Sequence, residues 1–423
     1  MAPIAAAQIV AVGSEMLTPF RVDTNSLLIT ERLNAIGIEV RVKSVVGDRR
    51  DDLAGVLQAA LASVDLVVVT GGLGPTDDDL TREVVAEVLD QPLVEDVTIT
   101  ERIRARFARR GLEMPEINRR QAMVPPGATV LPNALGTAPG LWLEHGPRIV
   151  VLLPGPPREL SPMLDGPIRD LLAPRAIGGA LHRRLIRTIG WSESHVEEAL
   201  RPLYARWIAD RRPLDATILA ARGAIDLHLT TRARSAEEAS ATLVAAAREV
   251  SSTLGDIVYS DDGGSLEEVV GRLLRARGWR IAVAESCTGG LLLKRLTDLP
   301  GSSDYVDCGV VVYSNEAKTR LAGVPEALIG KYGAVSEPVA RALAAGIRAR
   351  TASAVGVGVT GIAGPGGGSA EKPVGTVAIA VEGPSGAGVR TRRFAGDREL
   401  IRDVATNSAL DMVRRLVAGM PLQ

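Results

Sequence analysis

From residue 1 to about 170, apolar runs of strand length alternate with stretches whose apolar residues recur every three or four positions. QIVAVGSEM predicts a first strand, and TNSLLITERLNAIG predicts a helix with Thr24 as N-cap and Gly37 as its stop. IEVRVKSVVG predicts a second strand, RDDLAGVLQAALAS a helix over 50–63, and VDLVVVTGG a buried strand of the parallel type. This order predicts an open, doubly wound sheet, with GLGPTDDDLT (72–81) as a loop leaving the carboxyl end of a central strand. RIVVLLPGPPREL repeats the logic, as a strand ending in a Pro-Gly turn.

The pattern breaks at LAPRAIGGAL, which predicts a linker. A short unit follows: strand HRRLIRTIG, helix SESHVEEALRPLYARW, two strands around a Gly turn in DATILAARGAIDLHLTTRA, and helix SAEEASATLVAAAREVSSTLG. It reads as a small α+β domain carrying no catalytic constellation. A second break, YSDDGGS, opens a further alternation in which WRIAVAES, DYVDCGVVVYS, ASAVGVGVTG and GTVAIAVEG are strands. The helices there are LEEVVGRLLRARG, TGGLLLKRLTDL, NEAKTRLAG, SEPVARALAAGIRAR and a final one after GDRE. The expected architecture is α/β: two three-layer α/β/α domains, 1–172 and 263–423, separated by a small α+β domain over 180–258.

Composition narrows the function. With 3% aromatic residues the cores must be built from aliphatic side chains, and a net charge of −1 argues against a general nucleic-acid binder. No apolar stretch approaches the roughly 20 residues of a membrane-spanning helix, and the start lacks the marks of a signal peptide. Two cysteines, Cys287 and Cys308, fit a reducing cytosol, and four scattered histidines make a zinc site improbable. Against an Arg-dominated background the only lysines are Lys43, Lys294, Lys318, Lys331 and Lys372, and a lysine, unlike an arginine, can be tuned into a base.

In the last domain three polar turns fall at predicted strand ends: Glu285-Ser286-Cys287-Thr288, Tyr313-Ser314-Asn315 and Thr360-Gly361. Ligands of open α/β sheets bind at that edge. Ser286 and Thr288 start a helix, so helix capping competes with nucleophilic attack by Ser286. In the second reading the N–H groups of 288–290 receive an anion, and Gly289 and Gly290 let a ligand approach the backbone. With Asn315 as N-cap, Lys318 lies in a first helical turn, where the helix dipole favours loss of its proton; a solvated surface lysine is the alternative. Tyr313 could orient this lysine or a substrate carbonyl. The Gly-rich loop GIAGPGGGS, with Lys372 at its exit, matches no phosphate-loop or dinucleotide fingerprint, and Arg398 offers a fork for phosphate or carboxylate.

In the first domain, Gly72, Gly74 and Thr76 precede Asp77, Asp78 and Asp79. The acidic run suits a helix N-terminus, and equally a site for Mg²⁺ or a similar cation on a diphosphate substrate. Asn118, Gln121, Asn133 and Glu159 lie in loops within polar reach.

ESCTGG, VVYSNEAK, GAVSEPV, GVTGIAGPGGG, EKPVGTV and GDRE, in this order over about 265–420, resemble the nicotinamide-nucleotide amidohydrolase domain at the C-terminus of the CinA family. The resemblance implies conversion of nicotinamide mononucleotide to nicotinate mononucleotide and ammonia, with no cofactor. On it Ser286 is the nucleophile and Lys318 its base, Tyr313 and Thr360 position the amide, and Arg398 binds the phosphate. Thr288, Gly289, Gly290, Asn315 and Gly361 are the further candidate contacts.

Residues 7–170 resemble the family's N-terminal molybdopterin-binding fold, which implies a metal-dependent ADP-ribose pyrophosphatase releasing AMP and ribose 5-phosphate. The family's GPTxDD run puts the metal on Asp78 and Asp79, with Gly72, Gly74, Thr76, Asn133 and Glu159 toward the substrate. The family's GDELL opening stands here as Gly13-Ser14-Glu15-Met16-Leu17. The expected partners are these small nucleotides, in a cytoplasmic homo-oligomer that contacts neither nucleic acid nor membrane. The alternatives are a molybdopterin-binding protein and a non-enzymatic competence or DNA-damage protein.

Overall fold

The computed structural model describes residues 2–422, which divide into two compact units: residues up to 182 with 231–241, and 183–230 with the chain from 242 onward.

The first unit is built on β1 (Ala6–Val12), α1 (Asn25–Ala35), β2 (Glu39–Val46), α2 (Arg50–Ser63), β3 (Leu66–Thr70), α3 (Thr81–Val88), α4 (Val97–Ala108), β4 (Thr129–Leu131), β5 (Gly140–His145), β6 (Arg148–Leu153) and α5 (Pro157–Met163). Its sheet has the order β2-β1-β3-β6-β5-β4. The first four strands are mutually parallel, while β5 returns antiparallel to β6 and β4 antiparallel to β5. Every residue of β1 and β3 is buried. The two-residue period of a strand divides their side chains: Val10, Val67 and Val69 join Leu53, Leu57, Val84 and Ile103 on one face, and Ile9, Leu66 and Val68 join Ile29, Leu33 and Leu160 on the other. One sheet with a core on each face makes three layers.

A short sheet, most of whose residues belong to the second unit, is built on β7 (Ala180–Ile189), β8 (Asp215–Ala221), β9 (Ala224–Ala233) and β10 (Val258–Ser260), in the order β8-β9-β7-β10. Helices α6 (Glu193–Ala209) and α7 (Ala236–Leu254) share with it a single core around Val196, Leu200, Leu227, Leu229 and Val250.

The chain then forms α8 (Leu266–Arg277), β11 (Ile281–Glu285), α9 (Leu291–Thr297), β12 (Val306–Val311), α10 (Asn315–Ala322), α11 (Glu326–Tyr332), α12 (Glu337–Thr351), β13 (Val355–Gly361), β14 (Thr376–Gly383), β15 (Gly386–Arg393) and α13 (Arg398–Ala418). The sheet order is β12-β11-β13-β14-β15, parallel through β13 and antiparallel beyond. Val283, Val357 and Ile379 face α8, α9 and α13, whereas Ala282 and Ala284 face α10–α12. Gly356 and Gly358 let α12 sit close: a Cβ there would come within 2.2 Å of the Ala344 carbonyl oxygen and 2.3 Å of that of Ala340.

Three local expectations need correction. Thr24 makes no capping hydrogen bond; the Asp23 carboxylate accepts from the Ser26 N–H instead, at 3.0 Å. The cap of α10 is Ser314, whose hydroxyl accepts from the Ala317 N–H at 3.1 Å, so Asn315 is the first helical residue. The pattern also predicts no strand after 383, yet GAGVRTRR forms the edge strand β15, largely exposed, where no buried face imposes alternation.

Candidate active site

The turn after β11 holds the first surprise. The buried Glu285 carboxylate accepts the N–H groups of Gly290 (3.0 Å), Leu292 (3.1 Å) and Leu293 (2.8 Å). Glu285 therefore caps α9. Capping by Ser286 or Thr288 is corrected, because the chain passes through left-handed conformations at Gly289 (φ 61°) and Gly290 (φ 92°) and starts its helix only at Leu291. Ser286, 7% exposed, donates its N–H to Val359 on β13 at 2.9 Å, while its hydroxyl makes no hydrogen bond among the described residues. Burial pushes the neighbouring Cys287 thiol up to about 12, so at neutral pH it is protonated and a poor nucleophile.

Not all the N–H groups of 288–290 are free. Gly289 donates to the Ser286 carbonyl at 3.1 Å and Gly290 to Glu285. Among the described residues the N–H groups of Cys287 and Thr288 reach no backbone carbonyl, and they lie close enough to the Cys287 sulfur to favour its thiolate. They are the donors left to meet an oxyanion. The Thr288 hydroxyl is buried and unpartnered.

Lys318 is 2% exposed, with no carboxylate at ion-pair distance among the described residues. Burial lowers its pKa, opposed by the nearby Cys287 and Glu316. The surface-lysine reading is thereby corrected. Its Nζ donates to the Tyr313 carbonyl at 3.2 Å rather than to Ser286, though it lies near enough to Cys287 to be influenced by it.

Tyr313 is 59% exposed, and its hydroxyl accepts from Arg398 Nη2 at 3.0 Å. Arg398 Nη1 donates to Gly364 in the Gly-rich loop at 2.8 Å, so one guanidinium joins two of the predicted turns. Arg398 opens α13, whose cap is Asp397, accepting from Leu400 at 2.8 Å. Gly361 approaches the turn as well: a Cβ on it would lie 2.9 Å from the Cys287 sulfur. Thr360 does not point its hydroxyl at Ser286; it donates to the Ala334 carbonyl at 2.8 Å. Lys372 likewise ties a loop, donating to Tyr332 at 2.8 Å.

Two roles escaped the sequence reading. One is that of Glu285, placed in the polar turn but not read as the cap of α9. The other is that of Arg402, which donates from Nε (3.1 Å) and Nη2 (2.7 Å) to the Thr288 carbonyl. Its four-residue spacing from Arg398, which puts both on one helix face, was the available signal.

In the first unit a cavity of about 680 Å³ opens at the carboxyl ends of β1 and β3. Gly72, Gly74, Asp78, Asp79, Gln121 and Glu159 line it, together with Glu15 and Asp48. Asp79 organises the loop: it accepts from the N–H groups of Gly74 (2.8 Å) and Thr76 (2.9 Å) and from the Thr76 hydroxyl. The buried Arg82 holds the same loop through the carbonyls of Leu73 (2.6 Å) and Gly74 (2.9 Å). Asn133 binds Ala138 and Glu159, each at 2.8 Å, so its amide supports the neighbouring loop. Neither Asn133 nor Thr76 lines the cavity. Ser14 exchanges hydrogen bonds with Asp48, its N–H donating to Oδ2 at 2.7 Å and its hydroxyl accepting the Asp48 N–H at 2.9 Å. Among the described residues no three His, Cys, Asp or Glu side chains are grouped to hold a metal by themselves. With Asp79 engaged by the loop, the lining carboxylates that keep an uncommitted oxygen include Glu15, Asp48 and Asp78.

Three family profiles match: "CinA C-terminal domain" over residues 264–417, "Probable molybdopterin binding domain" over 8–174 and "Damage-inducible protein CinA KH domain" over 183–260. A CinA-like protein of Acidobacterium capsulatum is 48% identical over 413 residues, 97% of this chain and 99% of the relative. A putative competence-damage inducible protein of Symbiobacterium thermophilum is 45% identical, over 98% of this chain and 99% of its own length. The crystal structure of competence/damage inducible protein CihA from Agrobacterium tumefaciens shares 41% identity, covering 36% of this chain and 96% of that one, with a TM-score of 0.35. No helix among the described residues is long and apolar enough to cross a membrane.

Proposed function

The chain belongs to the CinA family, and from that premise we propose that its last domain hydrolyses the carboxamide of nicotinamide mononucleotide to nicotinate mononucleotide and ammonia. One observation carries the reading: a serine hydroxyl with no hydrogen bond among the described residues, freed from capping by Glu285, sits in the same turn as Cys287, whose charge reaches a buried lysine that has no carboxylate partner among the described residues.

Ser286 Oγ attacks the carboxamide carbon and its proton passes to the Lys318 amine, whose pKa burial lowers and which swings off the Tyr313 carbonyl to take it. The oxyanion is received by the N–H groups of Cys287 and Thr288. Lys318 then protonates the leaving nitrogen, which departs as ammonia; it next takes a proton from the water that attacks the acyl-serine and returns that proton to Ser286 Oγ as the ester C–O bond breaks and nicotinate mononucleotide leaves. Nucleophile, base and anion site all come from side chain and backbone, so this step calls for no cofactor. Arg398, at the N-terminus of α13, binds the phosphate, with Tyr313 beside it.

For the first unit the proposed reaction is cleavage of ADP-ribose to AMP and ribose 5-phosphate. Its carboxylates suit a cation of the Mg²⁺ type, which takes one or two carboxylates and completes its shell with substrate phosphates and water. When bound, such an ion neutralises the diphosphate and lowers the pKa of a water. Asp78, with Glu15 and Asp48 nearby, would hold it; Asp79 keeps the loop in place. A second reading, nucleotide binding without turnover, is favoured by the engagement of both Asp79 oxygens within the loop.

The test is a paired assay for ammonia from nicotinamide mononucleotide and AMP from ADP-ribose, on wild type and Ser286→Ala. Ammonia release should fall by several orders of magnitude, on the order of 10⁴ or more, with AMP release retained. Folded wild-type protein that releases no ammonia would end the deamidase reading.

A further inference from the structure

The peptide between Thr288 and Gly289 is held at both ends. Its N–H donates to the Ser286 carbonyl at 3.1 Å, and its carbonyl accepts the Leu291 N–H at 3.2 Å and both Nε and Nη2 of Arg402. The hold matters because this peptide is a weak point. Gly289 sits at φ 61° with no side chain to oppose a flip, and Thr288 offers the turn nothing through its unpartnered hydroxyl. A flip would turn the Gly289 N–H away from Ser286 and release the carbonyl end of the nucleophile's own residue.

Arg402 has no carboxylate at ion-pair distance among the described residues, so its planar fork is not held by a competing partner. It reaches the turn from α13, one helical turn beyond Arg398, at a sequence separation of 114 between donor and acceptor. We infer that Arg402 is a positioning residue for the deamidase site: by clamping the Thr288 carbonyl it keeps the Gly289 N–H on the Ser286 carbonyl, and so keeps the Ser286 hydroxyl aimed at the acyl carbon and the adjoining turn N–H groups at its oxygen. The inference rests on the reading of Ser286 as nucleophile, and adds to it a residue that touches neither substrate nor reacting atoms.

The experiment uses the full chain with Arg402→Ala and Arg402→Lys. The first readout is steady-state deamidation of nicotinamide mononucleotide, separated into kcat and KM. The second is the rate at which an alkyl fluorophosphonate labels Ser286, a reaction in which the Oγ–P bond forms, fluoride leaves and the hydroxyl proton goes to the base. Labelling passes through a similar oxyanion and does not depend on the natural substrate. Arg402→Ala should lower both kcat and the labelling rate by about 10- to 100-fold, the scale of a misaimed reacting group. KM should stay within about threefold, the direction expected when only transition-state interactions are lost. Arg402→Lys, which restores one donor, should recover part of both rates.

Equal labelling of wild type and Arg402→Ala would overturn the positioning role and leave the deamidase reading standing. A loss confined to KM would also overturn it, in favour of direct substrate binding. Labelling that follows the expected order, with no ammonia from the wild type, would support Arg402 and remove the substrate. A wild type that is not labelled at Ser286 would overturn the inference and the nucleophile together. If Arg402→Ala fails to fold, Arg402→Lys alone decides: full rates overturn the two-donor clamp, and an intermediate kcat with unchanged KM supports it.

Discussion

Replacing Ser286 by Ala separates the two roles its position in the sequence allows. As helix cap, its hydroxyl would contribute about 1 kcal/mol, and the substitution would fray α9. In the structure the hydroxyl has no partner, so its removal forfeits no hydrogen bond and stability should stay within about 0.5 kcal/mol of wild type. Glu285→Gln is the counterpart. It keeps the shape but removes the charge and one of two acceptor oxygens from a carboxylate that serves three N–H groups. Hydrogen bonds to charged groups contribute about 1.5–3 kcal/mol and neutral ones about 0.5–1.5, so weakening two of the three and orphaning the other gives roughly 2–4 kcal/mol. A chain of two compact units need not unfold in one step, so the assay is amide hydrogen exchange at Gly290, Leu292 and Leu293. Exchange should quicken by about 30- to 1000-fold in Glu285→Gln, since 1.4 kcal/mol is roughly a factor of ten. In Ser286→Ala it should change by no more than about twofold while deamidation is lost. Fast exchange in Ser286→Ala together with normal exchange in Glu285→Gln would refute this division of labour.

Burial lowers the pKa of Lys318, so the folded state binds fewer protons there than the unfolded state between the lowered pKa and the ordinary lysine range. Its contribution to stability therefore improves as pH rises through that window, and deamidation should gain its base over a limb lying below the ordinary lysine range. Lys318→Met should abolish that limb in a pH–rate profile and leave the protein at least as resistant to urea at neutral pH. Arg398→Ala should raise KM for nicotinamide mononucleotide by about 10- to 100-fold, the equivalent of one lost charge-assisted hydrogen bond, with little change in exchange protection along β11. Asp78→Asn should remove Mg²⁺-dependent release of AMP from ADP-ribose and leave ammonia release unchanged; persistence of AMP release would transfer the cation to Glu15 and Asp48.

Much of the architecture is local information. The apolar runs of β1, β3 and β11 are buried on both faces, and RDDLAGVLQAALAS forms α2 over the predicted residues, because a period of 2 or 3.6 is written in neighbouring positions. The gathering of polar turns at the carboxyl edge of the last sheet was legible for the same reason, since parallel strands linked by helices must end on one side. Local pattern could not choose among acceptors of equal propensity. Glu285, Ser286 and Thr288 all compete for the start of α9, and the backbone path through Gly289 and Gly290 hands the N–H groups to Glu285. The direction of the Lys318 amine, the turning of the Thr360 hydroxyl toward Ala334, and the joining of Tyr313 to Arg398 across 85 residues were likewise decided in three dimensions. Each is a hydrogen bond whose donor and acceptor meet only after strands and helices have packed. Sequence alone therefore told where chemistry could gather, and the tertiary structure told which groups are left unbonded to perform it.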